Sequence, residues 1–277
     1  MIDIVRQAMD ASELLAKHGE ARQQLPHTCM IPHRCFFVWR RGPITGKIHQ
    51  YRSHKGDTMD ARIIQITDAI VNLFLIEEPD HLTLIDAGTA GSLAAVQRTM
   101  QRRGLPLTAI TRILITHSDP DHVGGLPALV AATTAVAHAS AIEAAALARG
   151  ESSRPLKLPQ FVQDLSARMM PMPSFVIPNI LTPGDELPIL GGLRVLDTPG
   201  HTPGHVSLYA PAVGVLFAGD SLRTLGGAAR FTDGPVTWDY TRGRESFARQ
   251  RDLGATMICC GHGPVLRGAA VRFIQND

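Results

Sequence analysis

From Ala61 onward the chain is a succession of short, apolar, β-branched runs, each cut off by turn-forming residues. That pattern restricts it to folds built from many short strands. Ala61–Ile66, Ala69–Glu77 and His81–Asp86 read as a strand meander, followed by a helix over Ser92–Arg103 and a buried strand at Arg112–Thr116. Helices are predicted at Gly125–Ala132, Ser140–Arg149, Pro159–Met169 and Arg244–Leu253, and strands at Thr134–His138, Leu193–Thr198 and Thr256–Cys260. Val206–Ala210 and Val213–Ala218 form a predicted hairpin, and a short helix is expected in the tail. A meander followed by mixed strands and helices describes a layered α/β (α+β) protein better than a simple doubly wound sheet.

Composition narrows the partners. With 27 Lys and Arg against 25 Asp and Glu in 277 residues, the chain lacks the basic surface that non-specific nucleic-acid binding draws on. Its least charged stretch, Val123–Ile142, is interrupted by Pro127 and His138 and is too weak for a membrane span. Charges interrupt the first 25 residues as well, which argues against a secretory signal. Four cysteines, at 29, 35, 259 and 260, make no disulfide framework. A cytoplasmic protein with a small-molecule substrate and no nucleic-acid partner is the expectation.

Charge also divides the chain. Residues 1–56 hold nine Lys and Arg against four Asp and Glu, and no acidic residue occurs between Ala21 and Gly56. We read residues 1–58 as an N-terminal extension, a helix over Asp3–Leu25 and then an irregular basic segment, and 59–277 as the main domain. In the extension, His27 and Cys29 with His33 and Cys35 are side chains that zinc accepts, at a spacing that matches no standard finger. The run Phe36–Arg41 suits a cover over the site, a homodimer contact or contact with a membrane surface, with a packed cover as the expectation.

The chemistry concentrates at His117-Ser118-Asp119-Pro120-Asp121-His122, directly after a strand and before Gly124-Gly125. Four metal-ligand types within six residues can converge on one point, although Asp, Ser and Pro also make ordinary solvated turns. Elsewhere, His201 and His205 sit in Thr-Pro-Gly-His-Thr-Pro-Gly-His, Asp220 ends the strand VLFAGD, and His262 follows TMICCG. Each lies where an apolar strand runs out into a glycine-containing turn, which is how rigid strands present site residues.

Taken together these motifs resemble the metallo-β-lactamase superfamily, of the glyoxalase II-like hydrolase type. The likeness covers Ala61 to the C-terminus and rests on five motifs in order: Leu84-Ile-Asp86-Ala-Gly88, the 117–122 cluster, the His201 loop, Gly219-Asp220-Ser221 and Gly261-His262-Gly263. It implies an αββα sandwich with two metal ions at one sheet edge. One ion would take His117, Asp119, His201 and a bridging Asp220; the other Asp121, His122, Asp220 and His262. Asp86 matches a buried acidic residue behind the site, and His205 is read as a hydrogen-bonded structural histidine. The implied reaction is hydrolysis of a small ester, lactone or thioester by a metal-bridging hydroxide, with Asp121 holding or relaying the proton and Asp220 joining the ions.

This chain departs from the family pattern at Asp119, where histidine is common. Three carboxylates and a hydroxide balance two divalent ions, where a histidine would leave one positive charge. Zinc is the expected metal, with manganese or iron brought into range by the extra carboxylate. The flavodiiron branch carries a carboxylate at the same place, together with a flavin domain for which this chain has no room. True β-lactamases of this fold generally lack the bridging carboxylate, and only 15 residues follow His262 where hydroxyacylglutathione hydrolases carry a glutathione-gripping helical domain. Acyl-homoserine lactonases often place Tyr shortly after the bridging Asp, where Arg223 stands here. Competing functions are a phosphodiester hydrolase, a ligand-binding protein without efficient turnover, and a single-iron oxygenase of the persulfide dioxygenase kind. Arg154, Lys157 and Arg223 are the residues suited to an anionic substrate group.

Overall fold

The computed structural model describes residues 48–51, 61–155, 159–268 and 271–274. Outside the described residues lie the extension's predicted helix, its His27, Cys29, His33 and Cys35, the Phe36–Arg41 run, and Lys157.

The first sheet has seven strands that follow chain order: β1 (Ile48–Tyr51), β2 (Ala61–Asp68), β3 (Val71–Glu77), β4 (Leu82–Ile85), β5 (Ile110–Leu114), β6 (Val136–Ser140) and β7 (Asn179–Leu181). Pairing is antiparallel from β1 to β4 and parallel from β4 to β7. β1 falls within the stretch read as irregular chain and pairs with Ala61–Ile64 as an edge strand. The helices are α1 (Leu93–Arg102), α2 (Pro120–Val123), α3 (Leu126–Ala132), α4 (Ala141–Ala148), α5 (Gln160–Met169) and α6 (Tyr240–Arg251). The second sheet comprises β8 (Glu186–Leu187), β9 (Leu193–Asp197), β10 (Val206–Ala210), β11 (Val215–Gly219), β14 (Met257–Cys260) and β15 (Leu266–Arg267), in the order β15-β14-β11-β10-β9-β8. A small third sheet joins β12 (Leu222–Leu225), β13 (Ala228–Phe231) and β16 (Phe273–Ile274).

Alternation along the strands builds the layers. On β3, Phe74 and Ile76 face the second sheet, where they pack with Leu193, Val195, Leu208 and Phe217. The Phe74 and Phe217 rings meet edge to face at 5.7 Å. Leu73 and Leu75 point the other way, against Val96 and Met100 of α1, Leu129 of α3 and Leu147 of α4. On the far side of the second sheet, Leu216, Ala218 and Ile258 pack with Phe247 of α6. This is the αββα sandwich: helices, sheet, sheet, helices.

The same alternation sends Cys259 into the inter-sheet core and Cys260 to the outer face. Burial pushes both thiols up, which removes them as nucleophiles.

Among the described residues the expected tail helix is not formed. Gly263, Pro264 and Gly268 break helical continuity, and the tail pairs instead with open strand edges, β15 with β14 and β16 with β13. β12 and β13 were not anticipated either. Their connection is Gly226-Gly227 with φ of +60° and +74°, the positive-φ pair that a two-residue hairpin requires.

Candidate metal centre

Five chain segments meet at one edge of the sandwich. β5 ends at Leu114 and runs into His117–His122; β11 ends at Gly219, just before Asp220; its parallel neighbour β14 ends at Cys260, just before Gly261-His262. The β9–β10 connection carries His201 and His205, and Asp86 follows β4. Two glycines permit the approach. A Cβ on Gly219, at φ +51°, would lie 2.7 Å from both His205 Nε2 and Thr116 Oγ1. One on Gly261 would lie 2.2 Å from Asp220 Oδ1 and 2.5 Å from His122 Cε1.

The seven residues of the implied ligand set are brought together. Single donor atoms of His117, His201 and Asp220 all lie within 4.8 Å of one another, as do those of Asp121, His122 and His262. Asp220 stands between the groups. Its Oδ1 is 3.3 Å from His122 Nε2, and its Oδ2 is 3.1 Å from His262 Nε2 and 3.7 Å from His201 Nε2.

Hydrogen-bond chemistry fixes which ring nitrogens face inward. Ile70 carbonyl can only accept, so the 2.7 Å contact makes His262 Nδ1 the protonated nitrogen. Asp86 Oδ2 does the same for His122 Nδ1 at 2.8 Å. Asp86 also accepts from Thr116 N and Oγ1, which leaves the Thr116 oxygen to accept from His117 Nδ1 at 3.0 Å. When these three rings are neutral, as a metal ligand must be, the Nε2 lone pair therefore points at carboxylates. His117 Nε2, His122 Nε2, Asp121 Oδ2 and Asp220 Oδ1 are buried with no hydrogen-bond partner among the described residues. Lone pairs facing carboxylate oxygens are balanced by a proton or a divalent cation, and this mixture of imidazole and carboxylate suits a divalent cation.

Electrostatics follows from the same contacts. Asp220 pushes His262 up to about 10. Burial would lower His122, but Asp220 and Asp86 carry it well above the usual value. Burial and the neighbouring His122 lower His117. Asp220 is held low, against its burial, by His262 and His122. These are groups that release protons to a metal ion or take protons in its place.

His205 has a different job. Its Nε2 accepts from Asp220 N at 3.0 Å, and its Nδ1 meets Thr198 Oγ1 at 2.9 Å. It positions the backbone of Asp220. Burial pushes it down to about 3, so it stays neutral.

Asp119 is held differently from the other ligands. Its Oδ2 receives Arg154 Nη2 at 2.5 Å and lies 3.1 Å from His201 Nε2, while Ser152 Oγ donates to its Oδ1 at 2.6 Å. Burial alone would push the carboxyl up, yet the Arg154 guanidinium and the His201 ring hold it well below the usual carboxylate range. Arg154, expected to meet an anionic substrate group, thus spends one donor on a ligand; its Nε and Nη1 have no hydrogen-bond partner among the described residues. Arg223 pairs with Asp233.

One residue of the centre escaped the sequence reading. Glu143, on α4 and fully buried, accepts from Ser118 N and Oγ, Ser153 Oγ, Thr202 Oγ1 and Gly204 N. It ties together the 117–122 turn, the 152–154 segment and the His201 loop. Its signal in the sequence is that it is the one charged residue in the helix AIEAAALA.

The chain belongs to the metallo-beta-lactamase superfamily, whose family model matches residues 66–262. It is 31% identical over 227 residues to the uncharacterized protein YobT of Bacillus subtilis (strain 168), covering 74% of this chain and 88% of that one. It is 32% identical over 195 residues to a hydroxyacylglutathione hydrolase of Methylobacillus flagellatus, covering 69% of this chain and 61% of the relative's length. Among solved structures, TTHA1623 in a di-iron-bound form is 27% identical with a TM-score of 0.56, covering 74% of this chain and 93% of that one. The fold is therefore that of a metallo-hydrolase superfamily. Among the described residues no helix is long and apolar enough to cross a membrane.

Proposed function

We propose that this protein is a two-metal hydrolase acting on a small ester, lactone or thioester. His117, Asp119, His201 and Asp220 would hold one divalent ion, and Asp121, His122, Asp220 and His262 the other. The observation that carries the reading is the pair of ligand groups sharing Asp220, with inward lone pairs fixed by Asp86 and by the Ile70 carbonyl. When bound, such a pair of ions supplies an acidified water and polarises the oxygen on which charge develops.

The chain's own residues do the rest. Asp121 is the group assigned to take the proton at Oδ2, which lies 3.3 Å from His262 Nε2. Asp86, Thr116 and His205 keep the rings and the Asp220 backbone from reorienting as charge moves. The thioester class draws support from the similarity to a hydroxyacylglutathione hydrolase, and iron, beside zinc, from that to a di-iron-bound structure. The natural compartment we propose is the cytoplasm.

The test is metal analysis of the purified chain, followed by a panel of small esters, lactones, thioesters and phosphodiesters with zinc, manganese and iron. Two divalent ions per chain and turnover in one of the first three classes are expected. A chain that takes up no metal, or turns over phosphodiesters alone, overturns the reading.

A further inference from the structure

Among the described residues, Asp119 is the one member of the ligand set with an arginine hydrogen-bonded to it. Asp119 is 1% exposed and Arg154 5% exposed. Their 2.5 Å contact is a buried ion pair, which is weak evidence for stability because apolar packing of the same volume often serves as well. The backbone that carries Arg154 is tied down. Ser153 N donates to Ser118 Oγ, Ser153 Oγ donates to Glu143, and Arg154 N donates to Ser152 Oγ, whose own proton goes to Asp119. The other ionisable groups facing Asp119 are His201 at 3.1 Å and His117 at 3.8 Å from Oδ2.

We propose that Asp119 and Arg154 work as one neutral unit in place of a neutral imidazole. Arg154 is then a positioning and charge-balancing residue for the metal centre, and positions 119 and 154 are exchangeable only together. The inference rests on the two-ion reading. Counting Asp119 alone makes the centre one unit less positive than with histidine; the guanidinium returns that unit a hydrogen bond away. Asp119→His by itself strands a buried, unpaired guanidinium beside a divalent ion. Arg154→Gln by itself leaves an uncompensated carboxylate there, which attracts the ion more strongly. The double change restores a neutral ligand with no cation behind it.

The experiment is calorimetric titration of the metal-free full chain with zinc, alongside thermal unfolding of each variant. The site built on Asp121, His122 and His262 serves as the internal reference. Relative to wild type, Asp119→His should bind the first ion at least about tenfold more weakly and Arg154→Gln about threefold or more tightly. The double variant should return to within about threefold of wild type, and Arg154→Lys, which keeps the charge, should stay there too. If Asp119→His does not fold, Arg154→Gln decides alone: tighter zinc binding supports the unit, and unchanged or weaker binding overturns it. Asp119→His binding as tightly as wild type also overturns it and leaves the metal centre standing. A wild-type chain that binds no zinc at either site overturns the two-ion reading itself.

Discussion

The two halves of the centre are held by opposite means. Around His122 and His262 the rings are oriented by acceptors for their Nδ1 hydrogens, Asp86 and the Ile70 carbonyl. Around Asp119 and His201 the holding groups are charged. Arg154 sits on Asp119, Glu143 gathers the loops on both sides, and His201 Nδ1 is buried with no hydrogen-bond partner among the described residues. The first half is aimed by tautomer selection, a mostly short-range effect. The second depends on charge balance, so a single substitution there alters the field at the metal as well as the geometry.

The largest effect removes what the halves share. Asp220→Ala should lose both ions and abolish hydrolysis, seen as metal per chain after dialysis and as rate; wild-type values would break the assignment of both halves at once. Separating the halves takes milder changes. Asp86→Asn keeps a residue that tolerates φ of +61° but weakens the acceptor behind His122, and should weaken metal binding about 10- to 100-fold. Glu143→Gln touches no ring of the centre and should act first on the fold. Facing donors that need an acceptor, it should cost about 1–3 kcal/mol of stability before any metal is added, read as a lowered unfolding midpoint. Equal behaviour of these two variants would dissolve the contrast.

Acidification provides a smaller and graded test. His205 is depressed to about 3 from an ordinary value near 6.5, so the folded chain binds fewer protons than the unfolded one between these limits. Its contribution is complete above about pH 6.5 and is lost as pH falls toward 3, by at most about 1.4 kcal/mol per pH unit. Asp119 and Asp220, also depressed, add losses of the same sign at lower pH. Denaturant unfolding of the metal-free chain should therefore show stability falling on the acid side, and His205→Gln should flatten that slope above pH 4. The smallest effect concerns the sheet edge. A chain starting at Met59 lacks β1 and one starting at Lys47 keeps it, so their unfolding midpoints should differ by a few degrees with equal metal content.

Much of this was legible beforehand because strands and ligands coincide. β2 to β6 and β9 to β11 are apolar runs ended by turn residues, and each metal-ligand motif sits where such a run stops. Glu143 and Arg154 were hidden because their roles exist only in three dimensions. A glutamate three residues after Ser140 reads as a helix-start signal facing solvent, and Ser140 is indeed the N-cap, but the carboxylate turns inward to loops up to 61 residues away. Arg154 reaches a partner 35 residues earlier through a segment with no periodicity to read. The tail failed for a related reason: it pairs with open edges on β13 and β14, which the tail's own residues do not reveal.

The anchoring of His262 reaches far along the chain. Its Nδ1 is fixed by Ile70, in the turn between β2 and β3, and Asn72 beside it donates to the carbonyls of Cys260 and Gly263, about 190 residues downstream. The last ligand is therefore aimed by one of the earliest hairpins to leave the ribosome. During synthesis the Asn72 amide stays hydrogen-bonded to water until β14 has emerged and docked. On the two-ion reading, uptake of the second ion is thereby a late event, because a nascent chain released before residue 262 has no complete second site.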